Sequence, residues 1–122
     1  MNEAQKKILI VDDEPSVIIV ISEFLKWKGY QVLIAVNGLD AIAINDKENP
    51  YLIILDLRMP GIDGIETLRR IRKTDKEVKV IILSGYITDD IKMDGDYLGI
   101  SSYLDKPFDS ETLYKAINNI GE

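Results

Sequence analysis

The 122-residue chain contains no cysteine and no histidine. Without cysteine it has no disulfide, no thiolate nucleophile and no cysteine-ligated metal site. Without histidine it has no imidazole base, no histidine-ligated zinc and no phosphohistidine of its own. Catalytic triads that use Ser, His and Asp are therefore excluded.

An excess of positive charge and a long apolar stretch are also absent. Lysine and arginine total 15 against 21 acidic residues, a net charge of −6, which argues against direct binding to a nucleic-acid backbone. The apolar run Val17–Ile21 is followed at once by Ser22 and Glu23, far short of a membrane span. The N-terminal residues lack the apolar core of a signal peptide. A cytoplasmic location away from the membrane is the expectation.

The chain has the length of one domain, 1–122, with a substantial core. Short, continuous apolar runs predict parallel strands covered on both faces, because a half-exposed strand would alternate instead. A further run, Gln31–Val36, alternates in part. The continuous runs are Ile8–Val11, Leu52–Leu55, Val78–Leu83 and Ser102–Leu104.

Helical patterns lie between these runs and predict an α/β fold with the order βαβαβαβαβα. Helix starts are predicted at Pro15, Asn37, Asp63 and Asp109, where Asp63 with Glu66 resembles a capping box. These helices are expected to end near Gly29, Asp46 and Arg72, and past the apolar stripe that closes at Ile120. The fourth helix, from Thr88 to Asp96, is the weakest, because Gly95 and four Asp residues lower its propensity.

Five polar residues stand where the predicted strands end: Asp12, Asp13, Asp56, Ser84 and Lys106. Ligand sites of doubly wound sheets lie at the carboxyl ends of the strands. If the first and third strands are neighbours, three carboxylates meet there and raise one another's pKa. A hard divalent cation bound through oxygen, Mg²⁺ above all, resolves this conflict.

Each feature alone has a simpler structural interpretation. Asp13 and Glu14 could cap the first helix, and Asp56 could be a turn residue before Pro60 and Gly61. Ser84 could begin an ordinary loop. It is the recurrence of such residues at strand ends that favours a shared site.

At this point the chain resembles the receiver domains of bacterial two-component response regulators, from about Lys7 to Ile120. The resemblance implies a three-layer, flavodoxin-like fold with five helices and a five-stranded parallel sheet in the order 2-1-3-4-5. The resemblance is compatible with a stand-alone receiver of the sporulation-phosphorelay or chemotaxis type and equally with a domain of a longer regulator. The matching motifs are Ile8–Glu14, Asp56–Gly64, Ile82–Gly85 and Tyr103–Phe108.

The resemblance implies that Asp56 is the phosphoacceptor in a Mg²⁺-dependent reaction. Asp13 and Asp56 would bind the metal directly, together with the backbone carbonyl of Arg58, and Asp12 would act mainly through water. The donor would be the phosphohistidine of a sensor histidine kinase or a histidine phosphotransfer protein. The chain would not be an enzyme but a phosphoacceptor that assists its own phosphorylation and slow dephosphorylation.

Further roles follow from the same resemblance. Lys106 would pair with Asp56 and then with the phosphoryl oxygens, across a Lys106–Pro107 bond that is typically cis. Ser84 would hydrogen-bond the phosphoryl group, and Tyr103 would be the aromatic switch that turns inward. The surface of the fourth helix, fifth strand and fifth helix would then control a downstream protein or a missing output domain, and could support a phosphorylation-dependent dimer.

Two positions are expected to set the phosphate lifetime, Arg58 and Tyr86. A long side chain and a ring beside an acyl phosphate would block the attacking water, which predicts slow dephosphorylation. Packing of Tyr86 on its loop is an equally good interpretation.

Three alternative functions can be compared with this one. A flavodoxin-like nucleotide-binding protein would need a phosphate-binding loop after the first strand, where Asp12, Asp13 and Glu14 would repel phosphate. An Asp-nucleophile phosphohydrolase generally has a second Asp at the position of Arg58. A pseudo-receiver that acts by protein contact alone is the remaining alternative, and the complete set of site residues counts against it.

Overall fold

The computed structural model describes residues 6–85, 91–92 and 97–120. No helix within these ranges is long and apolar enough to cross a bilayer. The bounded elements are β1 (Lys7–Val11), α1 (Pro15–Trp27), β2 (Gln31–Ala35), α2 (Gly38–Glu48), β3 (Leu52–Asp56), α3 (Gly64–Arg72), β4 (Lys79–Ser84), β5 (Ser102–Asp105) and α4 (Ser110–Ile120).

The five strands form one parallel sheet in the order β2-β1-β3-β4-β5. In the centre, Ile8 of β1 is aligned with Val32 of β2 on one side and Leu52 of β3 on the other. The strand order therefore reverses at β1, which places the ends of β1 and β3 side by side. The predicted flavodoxin-like sheet and its order are confirmed.

Alternating side chains of the sheet build two separate cores, one on each face. Isoleucine and leucine fill both faces of the central strands, which explains why their sequences run apolar without a break. The α1/α4 face contains Ile8, Ile10, Leu52, Ile54, Ile81, Leu83 and Leu104. The α2/α3 face contains Leu9, Val11, Ile53, Leu55, Val80 and Ile82.

The predicted helix boundaries agree with the structure to within about one turn. Gly29, at φ 98°, ends α1 in a Schellman arrangement, with Gly29 N–H donating to Lys26 O and Tyr30 N–H donating to Leu25 O, both at 3.0 Å. Asn37 caps α2, and its side chain accepts the Asp40 N–H at 2.8 Å.

Only one of the two hydrogen bonds of the predicted capping box is seen at the start of α3. Asp63 Oδ1 accepts the Glu66 N–H at 2.8 Å, as predicted. The Glu66 carboxylate instead accepts the Arg70 Nε–H at 2.9 Å. An ion pair one turn along the helix competes with the return bond of the box.

The expectation of five helices is met in part, because the described residues contain four bounded helices. The predicted fourth helix falls mainly on residues 88–90 and 93–96, which lie outside the described residues. The described neighbours Ile91–Lys92 and Tyr97–Leu98 are helical. The last helix, α4, is the one predicted as the fifth, and Asp109 caps it by accepting the Thr112 N–H at 2.7 Å.

Candidate functional site

Three carboxylates meet where β1 and β3 end. One oxygen each from Asp12, Asp13 and Asp56 lies within 4.8 Å of the others. Asp12 is fully buried and Asp56 is 4% exposed, while Asp13 faces solvent. Asp56 is the last residue of β3 and not a turn residue, so that interpretation is wrong.

Asp12 is fixed at the end of β1 by its own backbone and its neighbours. Its N–H donates to Ala35 O of β2 at 3.1 Å, and its Oδ1 accepts the Glu14 N–H at 2.9 Å. Glu14 is the N-cap residue of α1, but its side chain makes no capping bond. Helix capping therefore does not account for the acidic run.

Lys106 supplies positive charge to the cluster. Its Nζ lies 2.9 Å from Asp12 Oδ2, 3.2 Å from Glu14 Oε1 and 3.4 Å from Asp56 Oδ1. The expected pair with Asp56 is present, but the shortest contact is with Asp12. The fully buried Asp12 carboxylate has the greater need of a partner, because water cannot reach it.

The backbone holds Lys106 in this position. Its N–H donates to Ser84 O at 2.8 Å, which joins the loop after β5 to the end of β4. The Lys106–Pro107 peptide bond is cis, as expected. Lys106 therefore reaches the carboxylates from a loop that is hydrogen-bonded to the end of β4.

The pKa of Asp56 is raised above its ordinary value of 3.8. Burial is the main cause and the charge of Asp12 the second, while Lys106 and the N–H of Arg58, which donates to the carboxylate, act in the opposite direction. Burial alone would lower the pKa of Lys106, but its hydrogen bond to Asp12 and the nearby acidic charges outweigh it and raise that pKa. The site thus places the Asp56 carboxyl, which ionises less readily than usual, beside the Lys106 amine, which keeps its proton more readily than usual.

The turn after β3 closes tightly on the acidic cluster. The Gly64 N–H donates to Leu57 O at 2.9 Å. A Cβ at Gly64 would meet Leu57 Cα at 2.8 Å and would also collide with the backbone of Asp56. Only glycine permits this approach, so the start of α3 lies against the end of β3.

Ser84 and Tyr103 belong to the neighbouring strands. Ser84 ends β4, is 1% exposed and aligns with Asp105 of β5. The half-buried Tyr103 ring packs on the α2/α3-face core, and its hydroxyl donates to Lys92 O at 3.3 Å. Both stand where the sequence predicts; their roles stay predictions.

The structure describes one of the two positions that are expected to set the phosphate lifetime. Arg58 is exposed, two residues after Asp56. Tyr86 lies outside the described residues. The influence of both positions on the phosphate lifetime stays a prediction.

Sequence reasoning missed two features of the site. The first is Glu14, whose carboxylate binds Lys106; the acidic triplet Asp12–Glu14 was the available signal. The second is an apolar groove of about 540 Å³ between α1 and α4, which opens beside Glu14 and Lys106. Its floor and walls include Val17, Val20 and Phe24. No periodicity rule anticipates a groove formed by two helices that are distant in sequence.

The fold and this cluster together define the class. Residues 8–118 match the response regulator receiver domain family. The chain is 41% identical over 117 residues to sporulation initiation phosphotransferase F of Bacillus subtilis, covering 96% of this chain and 92% of that one. It is 37% identical to protein PilH of Pseudomonas aeruginosa, covering 93% and 96%.

A solved structure gives the same result. The chemotaxis protein CheY4 of Vibrio cholerae superposes with a TM-score of 0.90 at 31% identity, covering 95% of this chain and 98% of that one. The chain belongs to the response regulator receiver domain family. It is a phosphoacceptor module of two-component signal transduction, in which phosphorylation switches the domain.

Proposed function

We propose that Asp56 is the phosphoacceptor and that Lys106, Ser84, Tyr103 and the acidic cluster serve its phosphorylation in the cytoplasm. The single observation that carries this proposal is the environment of Asp56. Its carboxylate is buried at a strand end, with an acid and an ammonium group both in reach. A carboxylate kept poorly solvated and positioned is a better nucleophile than one in water.

The chemistry is transfer of a phosphoryl group from nitrogen to oxygen. A carboxylate oxygen of Asp56 forms the new P–O bond while the P–N bond of a partner's phosphohistidine breaks. The electron pair of that bond stays on the imidazole nitrogen. Charge spreads over the phosphoryl oxygens during transfer, so a fixed cation beside them lowers the barrier. Lys106 Nζ, 3.4 Å from Asp56 Oδ1, is positioned to do so.

The donor set fits Mg²⁺. Asp12, Asp13 and Asp56 offer carboxylate oxygens within 4.8 Å of one another, and the backbone carbonyl of Arg58 would be a further ligand. Bound there, Mg²⁺ supplies charge neutralisation at the phosphoryl oxygens. Because one of the three carboxylates is exposed, the site is open to solvent and to a donor.

The readout is proposed to pass through Ser84 and Tyr103. The hydroxyl of Ser84, at the end of the strand beside Asp56, would hydrogen-bond the new phosphoryl group. Tyr103 would then turn inward and release its bond to Lys92 O, which is 3.3 Å long in this structure. A local charge change thereby biases a two-state element and controls a downstream protein or output domain.

The apolar groove between α1 and α4 supports a partner that brings its own helix. The groove lies next to Lys106, so a sensor kinase or phosphotransfer protein seated there would hold its histidine near Asp56. Amphipathic helices bind such grooves through regularly spaced apolar side chains. Val20, which is 60% exposed, is the side chain we expect the partner to cover.

The experiment is phosphorylation by phosphoramidate, read by intact mass. One phosphoryl group should add in the presence of Mg²⁺, disappear with chelator and be released by hydroxylamine. Asp56→Ala should take up none, and Asp46→Ala, an exposed acid on α2, should behave as the unchanged chain. A folded chain that binds Mg²⁺ and gains no mass would instead indicate the pseudo-receiver.

The same sample tests the lifetime proposal. The domain is proposed to assist its own slow dephosphorylation without being an enzyme, with Arg58 and Tyr86 restricting water. Loss of the adduct should be faster in Arg58→Ala than in the unchanged chain. Decay as fast as in the fastest chemotaxis-type receivers would contradict the proposal.

A further inference from the structure

Glu14 lies beside the acidic cluster but contacts the lysine of the site. Among the described residues, the carboxylates close enough to share one metal ion are those of Asp12, Asp13 and Asp56. The Glu14 Oε1 atom instead accepts a hydrogen bond from Lys106 Nζ at 3.2 Å. Glu14 also stands at the N-cap position of α1 without capping the helix through its side chain. The contact with Lys106 is therefore the hydrogen bond that the structure shows for this carboxylate.

The ammonium group of Lys106 is shared unequally among three acids. Its Nζ lies 2.9 Å from Asp12 Oδ2, 3.2 Å from Glu14 Oε1 and 3.4 Å from Asp56 Oδ1. Asp12 also accepts the Glu14 N–H through its other oxygen at 2.9 Å, so its carboxylate bridges the Glu14 backbone and the ammonium. The two shorter contacts of Lys106 thus lie on the β1–α1 side of the site. They draw the ammonium away from the proposed phosphoacceptor.

These contacts differ in how easily Lys106 can give them up. The Asp12 carboxylate is buried, and loss of its partner would leave an uncompensated charge out of reach of water. The Glu14 side chain is 57% exposed, so water can solvate its carboxylate when the ammonium moves away. Exposed ion pairs contribute little free energy. Glu14 is therefore the partner that Lys106 can release when charge builds up at Asp56.

We propose that Glu14 is a positioning residue that holds Lys106 partly away from Asp56 and thereby slows phosphorylation, an inference that rests on the proposed function of Asp56. During transfer, negative charge builds up on the phosphoryl oxygens and attracts the ammonium. The barrier then includes the cost of breaking the contact with Glu14. Without the Glu14 charge, Lys106 can approach Asp56 before the donor arrives, so this part of the rearrangement is already complete.

The test is the rate of phosphorylation by phosphoramidate, followed by intact mass at saturating Mg²⁺, which removes any effect on metal affinity. Glu14→Gln should react about two- to fivefold faster than the unchanged chain, the range that an exposed ion pair supports. The matched control is Asp105→Asn, which removes the same charge from an exposed residue at the end of β5, next to Lys106 in sequence. It should react at the rate of the unchanged chain.

The position of the lysine is measured separately, by NMR without phosphodonor and with chelator present. The resonance of Lys106 Cε should shift in Glu14→Gln and stay in place in Asp105→Asn, because only the first substitution removes a partner of the ammonium. A resonance that does not move in Glu14→Gln would overturn the proposal. Equal acceleration by the two substitutions would also overturn it, since charge at the site would then act without the lysine.

The outcomes separate this inference from the function on which it rests. If the unchanged chain is phosphorylated and Glu14→Gln reacts no faster, the positioning role of Glu14 is wrong and the role of Asp56 stands. If the unchanged chain gains no phosphoryl group, both are wrong.

Discussion

At the scale of single residues, the site is built from groups that cost the folded state free energy. Asp12 and Asp56 continue rows of isoleucine and leucine, and both are almost fully buried. Lys106 compensates them in part, through contacts of 2.9 and 3.4 Å. Because one lysine compensates both acids, we expect removal of the Asp56 charge to raise the free energy of unfolding and removal of the Lys106 charge to lower it.

Asp56→Asn should raise the free energy of unfolding in metal-free buffer at neutral pH, by roughly 1 kcal/mol. It removes a buried charge whose pKa is raised by burial and by Asp12, and it leaves Lys106 its contacts with Asp12 and Glu14. Urea titration with chelator present measures the difference.

The pH dependence follows from the same shift. The folded chain takes up a proton on Asp56 at higher pH than the unfolded chain, so acidification through the folded pKa stabilises the parent and not the variant. The advantage of Asp56→Asn should therefore be full above that pKa and shrink below it. An advantage that grows on acidification would contradict the assignment.

Lys106→Met should act in the opposite direction and lower the free energy of unfolding, by up to about 3 kcal/mol. It leaves Asp12 buried without its 2.9 Å partner while the apolar part of the side chain stays similar. Denaturant unfolding at neutral pH measures this loss, and Lys115→Met on α4 is the control for removing a lysine elsewhere. A loss that is equal in the two variants would argue against the buried charge as its cause.

At the scale of elements, the loop between β3 and α3 sets where Asp56 points. Gly64→Ala should destabilise the fold by about 1–3 kcal/mol, although alanine is the better helix former. The added methyl would collide with Leu57 and with the backbone of Asp56. The melting temperature and the rate of phosphorylation should both fall.

Gly85→Ala is the matched control for that substitution. Gly85 follows β4 at the same end of the sheet, and a Cβ built there meets nothing within 4 Å. It should leave stability within about 0.5 kcal/mol of the parent. Equal losses in both variants would show that backbone freedom, and not the collision, decides.

Local rules predicted most of the elements. Continuous apolar runs identified four strands, and the partly alternating run Gln31–Val36 identified β2. Asn37, Asp63 and Asp109 marked helix starts because an Asn or Asp side chain accepts a backbone N–H there. The return bond of Glu66 was not predictable, since it depends on a competing arginine one turn away. The strand order came from the family resemblance, because no local pattern specifies which strands become neighbours.

At the scale of the whole molecule, metal binding should be linked to folding. Mg²⁺ should raise the melting temperature of the parent. The expected gain in the free energy of unfolding is about 2.7 kcal/mol at a Mg²⁺ concentration one hundred times the dissociation constant. Asp13→Asn should lose most of this gain, because it removes the exposed carboxylate of the cluster. Asp46→Asn should keep the gain, and scanning calorimetry with and without Mg²⁺ measures all three.

The membership of the site was predictable, but its internal contacts were not. Strand ends of one sheet meet at one edge, so Asp12, Asp13, Asp56, Ser84 and Lys106 could be grouped from sequence alone. Which carboxylate lies nearest Lys106, and the addition of Glu14, depend on tenths of an ångström in the loop after β5. The groove required knowledge of how α1 and α4 pack.

The alternation of side chains along the strands affects how the surfaces for the phosphodonor and for the output can evolve. Asp12, Asp56 and the groove lie in phase with the α1/α4 core, whereas Tyr103 packs on the α2/α3 core. The sheet thus separates the groove proposed for a donor from Tyr103, but the last helix, α4, lines that groove and also belongs to the surface expected to carry the output. Substitutions on α1 could therefore change the choice of donor without altering the output surface, whereas substitutions on α4 would change both.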